Sequence, residues 1–257
     1  MENLLLRDGG CVELELNVNG LTYAAAYRDC DVEDVFLPLL RDWGALYAAN
    51  PAKRTVVLLA APPGTGKTTL ALFLEQLAAT IPDMPRVQAL GMDGFHYPNA
   101  YLDTHEVVED GERKTLRSRK GAPFTFDVEA LTTAVADLKT ERPHPWPAYS
   151  RELHDVVPDA IEITGDIVLV EGNYLLLDEP GWRDLAALAD RTAFLSADAA
   201  MLRERLISRK VAGGMGRAAA QTWYEASDGR NVGRVLASRH PADVELRLMP
   251  DGSIRRA

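Results

Sequence analysis

The sequence predicts a three-layer α/β fold with a mainly parallel sheet, and three stretches predict it. The first runs from 55 to 79 and combines a buried strand, a glycine-containing loop and a helix with an apolar stripe. The other two are short apolar runs at 86–91 and 166–171, with helical patterns between them. With 257 residues and a mass of 28.2 kDa, the chain fits one large domain with an N-terminal appendage.

Composition excludes several classes of protein. A net charge of −10 and a pI near 5.0 argue against a general nucleic-acid binder, although a local basic pocket for an anion stays open. The only cysteines, Cys11 and Cys30, are too few for a disulfide scaffold or a thiolate metal site. No apolar run reaches membrane-spanning length, and the LLL run at 4–6 is too short for a signal peptide. We therefore expect a soluble cytoplasmic protein, with a homodimer left open.

The first fifty residues read as an extension packed on the main domain. Residues 12–27 alternate apolar and polar side chains around Asn19-Gly20, a dipeptide that favours the tight turn of a β-hairpin. Asp31 is positioned to cap a following helix that ends near Asn50-Pro51. We predict that residues 1–50 form this hairpin-and-helix extension and that 51–257 form the main domain.

A phosphate-binding loop lies between the strand at 56–60 and the helix after it. Gly66, Lys67 and Thr68 complete the P-loop pattern, with Ala61 where the first glycine usually stands. Backbone N–H groups and the helix N-terminus can hold phosphate oxygens, Lys67 can reach the outer phosphates, and the Thr68 hydroxyl can bind Mg²⁺. The residues expected to hold ATP are Pro63, Gly64, Thr65, Gly66, Lys67, Thr68 and Thr69.

Two carboxylates follow later strands. Asp93 comes just after the strand at 86–91, where parallel sheets bind ligands, and we predict that it is the base that deprotonates an acceptor. Glu171 ends the strand at 166–171 and is the predicted Mg²⁺ or water-orienting carboxylate, with Thr68 as the other metal ligand. The alternative for both residues is a local turn or helix cap.

For the remaining segments the sequence predicts secondary structure but no specific chemical role. Residues 103–121 are polar and basic and read as a loop or short-helix excursion, and 143–155 as a broken, substrate-side loop. We predict a helix at 127–138 capped by Asp127, and a helix around Trp182, Leu185 and Leu188. Further along we predict helices at 198–211 and 218–238, and strands at 192–195 and 244–248.

Three arginines on one predicted helix suit a lid over phosphates near 203–217. Arg205 and Arg209 share a face at four-residue spacing, but which of Arg203, Arg205 and Arg209 contacts phosphate is left open; ordinary ion pairs with Glu204 and its neighbours are the alternative. His96 and His154 could each hydrogen-bond a substrate hydroxyl, but loop histidines are commonly structural.

Five ordered motifs resemble the phosphoribulokinase, uridine kinase and type I pantothenate kinase superfamily. They cover most of the chain, from about 56 to about 248, and are APPGTGKTT, MDGFHYPN, KGAPFTFD, PAYSRELHDVVPD and IVLVEGNYLLLD. The sequence is most similar to the bacterial proteins labelled nucleoside/nucleotide kinase family or fructose-transport-system kinase.

The resemblance implies roles for individual positions. It implies that Asp93 is the catalytic base and that Glu171 acts near Mg²⁺. It also implies that Tyr149, Arg151 and His154 line the acceptor pocket, and that Asn231 matches a family asparagine before the last strand. Arg151 and His154 depart from the pantothenate enzymes, and a charged Arg151 suits a more polar or anionic acceptor.

These observations predict a P-loop kinase that transfers the γ-phosphoryl group of ATP to a hydroxyl of a small metabolite. A sugar or sugar-like alcohol is the first expected acceptor, with a nucleoside or a pantothenate-like compound next. The rival hypothesis is a nucleotide-binding regulatory protein that phosphorylates no metabolite, and a nucleic-acid kinase is a more distant third.

Overall fold

A six-stranded sheet forms the centre of the protein, in the strand order β13 (Ile254–Arg256), β12 (Val244–Leu248), β11 (Arg191–Ala197), β4 (Thr55–Ala60), β10 (Ile167–Gly172) and β5 (Val87–Gly91). The structure is a computed structural model that describes residues 6–8, 10–18 and 21–257, with side chains described over 10–16 and 24–257. All neighbouring pairs are parallel except β12 with β13 at the edge. The mainly parallel α/β fold that the sequence predicts is therefore confirmed.

The described strands form this central sheet, one three-stranded sheet and two hairpins. They are β1 (Leu6–Asp8), β2 (Cys11–Val18), β3 (Leu21–Arg28), β4 (Thr55–Ala60), β5 (Val87–Gly91), β6 (Glu106–Glu109), β7 (Glu112–Thr115), β8 (Trp146–Ser150), β9 (Asp155–Ile161), β10 (Ile167–Gly172), β11 (Arg191–Ala197), β12 (Val244–Leu248) and β13 (Ile254–Arg256).

The described α-helices are α1 (Asp29–Asp31), α2 (Leu37–Ala49), α3 (Lys67–Ala78), α4 (Asn99–Thr104), α5 (Val128–Asp137), α6 (Ala199–Ala212), α7 (Arg217–Trp223) and α8 (Gly229–Ala237). Helices cover both faces of the central sheet, which gives the three layers. Alternate residues of β4 explain how: Val57 and Leu59 face a core built with α2, α3 and α6, whereas Val56 and Leu58 face one built with α5 and α8. Every residue of β4 and β10 is buried, as expected for central parallel strands covered on both sides.

The N-terminal sheet packs on the helix that follows the phosphate loop. β2 pairs antiparallel with β1 and β3, and Leu14 and Leu16 of β2 belong to the same buried cluster as Phe73 of α3. The rings of Tyr27 and Phe73 meet edge to face with centroids 4.5 Å apart. The predicted Asn19-Gly20 turn lies outside the described residues.

The prediction that Asp31 caps the first helix was wrong. β3 continues to Arg28 and passes directly into α1 at Asp29, whose N–H donates to Gly10 O at 2.9 Å. Asp31 is already helical and buried, and a π-helical turn at Val32–Phe36 joins α1 to α2.

Two segments that the sequence predicts as loops form antiparallel hairpins in the structure. β6 pairs with β7 inside the 103–121 excursion, and β8 pairs with β9 across the 143–155 segment. β6 and β7 are polar strands of four residues without apolar alternation, so the sequence does not distinguish them from loops.

Two helical predictions also differ from the structure. The segment around Trp182 holds only a 3₁₀ helix, Leu185–Leu188. The predicted helix at 218–238 is interrupted by a π-helical turn, Tyr224–Asp228, between α7 and α8. The edge strand β13 was not predicted.

No helix in the described ranges is both long enough and apolar enough to cross a membrane.

Candidate active site

The phosphate loop connects β4 to α3 in a conformation that only glycine adopts easily. Gly64 and Gly66 have φ values of 87° and 89°, and a Cβ on Gly64 would lie 3.0 Å from the Leu206 side chain. The buried Thr65 side chain braces the loop by donating to Pro62 O at 3.0 Å. The loop therefore delivers Lys67 and Thr68 at the N-terminus of α3, a position suited to binding an anion.

Glu171 faces this loop from the neighbouring strand. It lies near the end of β10 opposite Leu59 of β4. Its Oε1 accepts from Thr68 Oγ1 at 2.8 Å, and its Oε2 lies 3.8 Å from Lys67 Nζ. Burial raises the pKa of the Glu171 carboxyl, and the Lys67 charge opposes that rise.

One oxygen of Glu171 is available for a further ligand. Within the described residues, the buried Oε2 has no hydrogen-bond partner. A buried carboxylate oxygen without a partner is costly, and hard cations such as Mg²⁺ prefer carboxylate and hydroxyl oxygens. Thr68 and Glu171 thus fit the metal-binding role predicted for them.

Asp93 lines a cavity of about 230 Å³ together with the P-loop side chain Thr68. It belongs to a 3₁₀ turn, Met92–Phe95, directly after β5, and its side chain is exposed to the cavity. Because β5 and β10 are adjacent and parallel, their ends bring Asp93 and Glu171 to the same cavity wall. Tyr149 and Arg151 complete its polar lining.

The β8–β9 hairpin packs tightly on the turn that carries Asp93. The indole N–H of the buried Trp146 donates to Gly91 O at 2.9 Å, and its ring meets Phe95 edge to face. A Cβ on Gly94 would overlap the backbone of Pro147. The hairpin that supplies Tyr149 and Arg151 is therefore fixed in position relative to Asp93.

A second cavity, of about 600 Å³, lies between the phosphate loop and α6. Arg205 and Arg209 line it together with Lys67, and Arg205 Nη2 would lie 3.6 Å from a Cβ on Gly66. Arg203 points elsewhere and pairs with Glu204 at 3.0 Å and, at 3.9 Å, with Glu225. Arg151 lines both cavities.

His96 lies behind Asp93 rather than in the cavity lining. Its Nδ1–H donates to Asp93 O at 2.9 Å, and its ring lies against Phe126 with centroids 3.8 Å apart. Burial lowers the pKa of the imidazole, so it is neutral at pH 7. In this structure His96 supports the Asp93 backbone, and its contact with substrate stays a prediction.

Neither His154 nor Asn231 lines either cavity. His154 is an exposed turn residue with φ 53°, and its carbonyl, not its ring, accepts from Asn99 and Lys120. Asn231 is buried on α8 and donates through Nδ2 to Gly121 O at 3.2 Å. Both residues stabilise surrounding segments, which sequence position alone does not show.

Lys120 lies beside the site, although the sequence did not single it out. Its ammonium is 4.7 Å from the centre of the Tyr149 ring and donates to Asn99 Oδ1 at 2.8 Å. The available signal was its place at the start of KGAPFTFD, one of the five motifs, rather than in a plain basic surface run.

No protein-family model matches the chain. It is 46% identical over 241 residues to "Uncharacterized protein YggC" of Escherichia coli, covering 94% of this chain and 98% of that one. It is 32% identical over 167 residues to the "Putative uridine kinase C227.14" of Schizosaccharomyces pombe, covering 63% of this chain and 69% of that one. A pantothenate kinase of Actinobacillus succinogenes is 29% identical over 70% of this chain and 60% of its own length.

A solved structure agrees with these relatives. The crystal structure of a "putative fructose transport system kinase" from Silicibacter sp. TM1040 superposes with a TM-score of 0.72 and 32% identity. The superposition covers 82% of this chain and 98% of that one. Together with the P-loop geometry, these similarities show that the chain belongs to the phosphoribulokinase, uridine kinase and type I pantothenate kinase superfamily of P-loop kinases.

Proposed function

We propose that the protein transfers the γ-phosphoryl group of ATP to a hydroxyl of a small metabolite, with a sugar or sugar-like alcohol as the first expected acceptor. The observation that carries the proposal is that Asp93, Thr68 and Glu171 line one cavity although they come from three separate segments. A phosphate loop facing an exposed carboxylate across a small cavity is the arrangement that phosphoryl transfer requires.

In the proposed reaction, the acceptor oxygen bonds to the γ-phosphorus, and the bond from that phosphorus to the β,γ-bridging oxygen breaks. ADP leaves, and the hydroxyl proton passes to Asp93. Lys67, Arg205 and Arg209, which line the phosphate-side cavity, balance negative charge on the transferred group.

Thr68 and Glu171 would hold Mg²⁺, directly or through water. When bound, the ion neutralises charge on the β- and γ-phosphates. The unpartnered Glu171 Oε2 and the nearby Thr68 hydroxyl support this assignment. The chain itself contributes the cradle, the acceptor base and the cations of α6.

The size of the acceptor cavity favours a compact substrate. At about 230 Å³ it is smaller than the roughly 300–1,000 Å³ typical of sites for drug-sized ligands. Its wall mixes Leu72 and Ile161 with the polar Asp93, Tyr149 and Arg151. A polar single-ring or open-chain sugar suits this lining better than a nucleoside or a pantothenate-like compound. The proposal includes a cytoplasmic location, which two free cysteines fit.

The test is Mg·ATP consumption by the purified protein with a panel of sugars, sugar acids, sugar phosphates, nucleosides and pantothenate. Asp93→Asn should lower kcat by about 10²–10⁴, because the amide cannot accept the proton. Asp184→Asn is the control, since Asp184 is exposed and lines neither cavity, and it should retain full activity.

Unchanged turnover in Asp93→Asn would remove Asp93 from the role of base. ATP binding without ADP release for any acceptor would favour the nucleotide-binding regulator instead.

A further inference from the structure

Two cations, Lys120 and Arg151, lie at the part of the acceptor cavity that Tyr149 lines: Lys120 contacts the Tyr149 ring, and Arg151 lines the cavity. Many basic residues in this acidic protein form ion pairs, as Arg119 does with Glu109 at 2.8 Å. By contrast, in the described part of the chain no carboxylate lies within ion-pair distance of Lys120 or Arg151. Lys120 and Arg151 form the cationic cluster of this site.

The cationic cluster lies next to Tyr149. Lys120 Nζ lies 4.7 Å from the centre of the Tyr149 ring. Burial raises the pKa of the Tyr149 hydroxyl and Asp93 raises it further, while the charges of Arg117 and Arg151 lower it. Tyr149, Asp93 and Arg151 all line the acceptor cavity.

Lys120 is held in place by neutral oxygens. It donates to Asn99 Oδ1 at 2.8 Å and to His154 O at 3.0 Å. Burial lowers the pKa of Lys120, and Arg117 lowers it further. A half-buried ammonium beside a second cation is unfavourable in the free protein, and an anion would relieve the repulsion.

The carboxylates facing the cluster do not neutralise it. Asp93 lines the cavity and is assigned to the acceptor proton. Asp155 Oδ1 accepts from the backbone N–H groups of Asn99 and Val156, at 3.0 and 2.9 Å. Both affect the pKa of Lys120, but neither lies within ion-pair distance of it.

We propose that the acceptor carries a negatively charged carboxylate or phosphate group, and that Arg151 and Lys120 bind it while Asp93 faces the reacting hydroxyl. This inference rests on the proposed kinase function. Arg151 and Asp93 line the same cavity, so one small molecule bound there can contact both. Guanidinium and ammonium groups bind carboxylates and phosphates through charge-assisted hydrogen bonds, and a neutral sugar would leave the cluster uncompensated.

Steady-state kinetics with matched acceptors test the inference. The probes are ribose, ribonate and ribose 5-phosphate, and the parallel set glucose, gluconate and glucose 6-phosphate. We expect kcat/KM for an anionic member to exceed that of its neutral counterpart about tenfold or more. Whether the acid or the phosphate ester is preferred identifies the source of the charge.

Variants of Arg151 and Lys120 test whether these residues cause the preference for an anionic acceptor. Arg151→Gln and Lys120→Met should each raise KM for the anionic acceptor about tenfold with little change in kcat or in KM for ATP. Arg151→Lys should recover part of the loss. Arg113→Gln is the control, because Arg113 is exposed, pairs with Glu106 and lines neither cavity.

The outcomes separate the inference from the function on which it rests. Equal or better turnover of neutral sugars overturns the inference and leaves the kinase proposal intact. A fall in kcat for every acceptor in Arg151→Gln, at unchanged KM, also overturns it, because Arg151 would then act on the transferred phosphoryl group. If no compound stimulates ADP release, the kinase proposal fails and the inference fails with it.

Discussion

At the scale of a single residue, the buried Glu171 of the proposed site lowers the stability of the nucleotide-free protein. Its carboxyl is buried, and burial raises its pKa above the ordinary value of 4.5, although the charge of Lys67, 3.8 Å from Oε2, opposes the rise. Between these two pKa values the folded state binds more protons than the unfolded state. Stability of the nucleotide-free protein therefore falls as pH rises through this window and stays lower above it.

Glu171→Gln should remove this loss, because the amide has no charge to bury. We expect the Tm of the variant minus that of the wild type to become more positive from pH 5 to pH 8, measured by thermal unfolding without nucleotide. Glu162→Gln, at an exposed site, is the control and should show no such trend. A flat or falling difference for Glu171→Gln would contradict the prediction.

The same scale explains why Arg203, Arg205 and Arg209 have different surroundings despite their closeness in sequence. Successive positions on α6 differ by about 100°, so two arginines face the phosphate loop while the third pairs with carboxylates. The alternative that the sequence left open, an ion pair with Glu204, is formed by Arg203 and also by Arg217.

At the scale of elements, the fit between the β8–β9 hairpin and the turn at Met92–Phe95 fixes the acceptor cavity. Gly94 makes the fit possible, since a side chain there would overlap the Pro147 backbone, which belongs to a strand and cannot rotate away. The Trp146 to Gly91 hydrogen bond joins the same two elements.

Gly94→Ala should push the hairpin away from Asp93. We expect a loss of about 1–3 kcal/mol in the free energy of unfolding, as for other overpacked sites, and a marked fall in acceptor kcat/KM. Denaturant titration and the ATPase assay measure these effects. Gly233→Ala is the matched control: it lies in α8 with open space around it and should be neutral or stabilising by up to about 1 kcal/mol.

Should Gly94→Ala retain wild-type stability and activity, the hairpin does not constrain the cavity as described.

At the scale of the whole molecule, the N-terminal sheet and the nucleotide-binding core share one buried cluster. Phe36, before α2, is fully buried and meets Tyr27 at a centroid distance of 5.1 Å and Phe73 of α3 at 5.9 Å. The division into an extension at 1–50 and a kinase domain at 51–257 stays a prediction. The shared cluster implies that the two parts unfold together.

Phe36→Ala should lower the free energy of unfolding by about 3–5 kcal/mol, because it leaves a cavity in this cluster. We expect one cooperative transition in both wild type and variant, followed by circular dichroism and by tryptophan fluorescence. Val108→Ala, at a side chain that is 67% exposed, should change little. Two separated transitions would show that the extension is an independent unit.

The sequence by itself determined the features that depend on neighbours along the chain. The phosphate loop, the central strands and the carboxylates at strand ends follow from apolar runs, glycines and a known spacing. The predicted superfamily is confirmed by relatives and by a solved structure. The predicted site roles of Asp93, Glu171 and the loop residues stay predictions, now with a geometry in which each can be tested.

Only the tertiary structure decided what depends on distant segments. The strand order, the two polar hairpins and the placement of Lys120 beside Tyr149, 29 positions later in the chain, are set by contacts that leave no local pattern. The same holds for the surroundings of His154 and Asn231, which the resemblance assigns to substrate and which line neither cavity here; their substrate roles stay predictions. Local periodicity encodes which face of an element is buried, whereas side-chain neighbours across the fold depend on how the elements pack together.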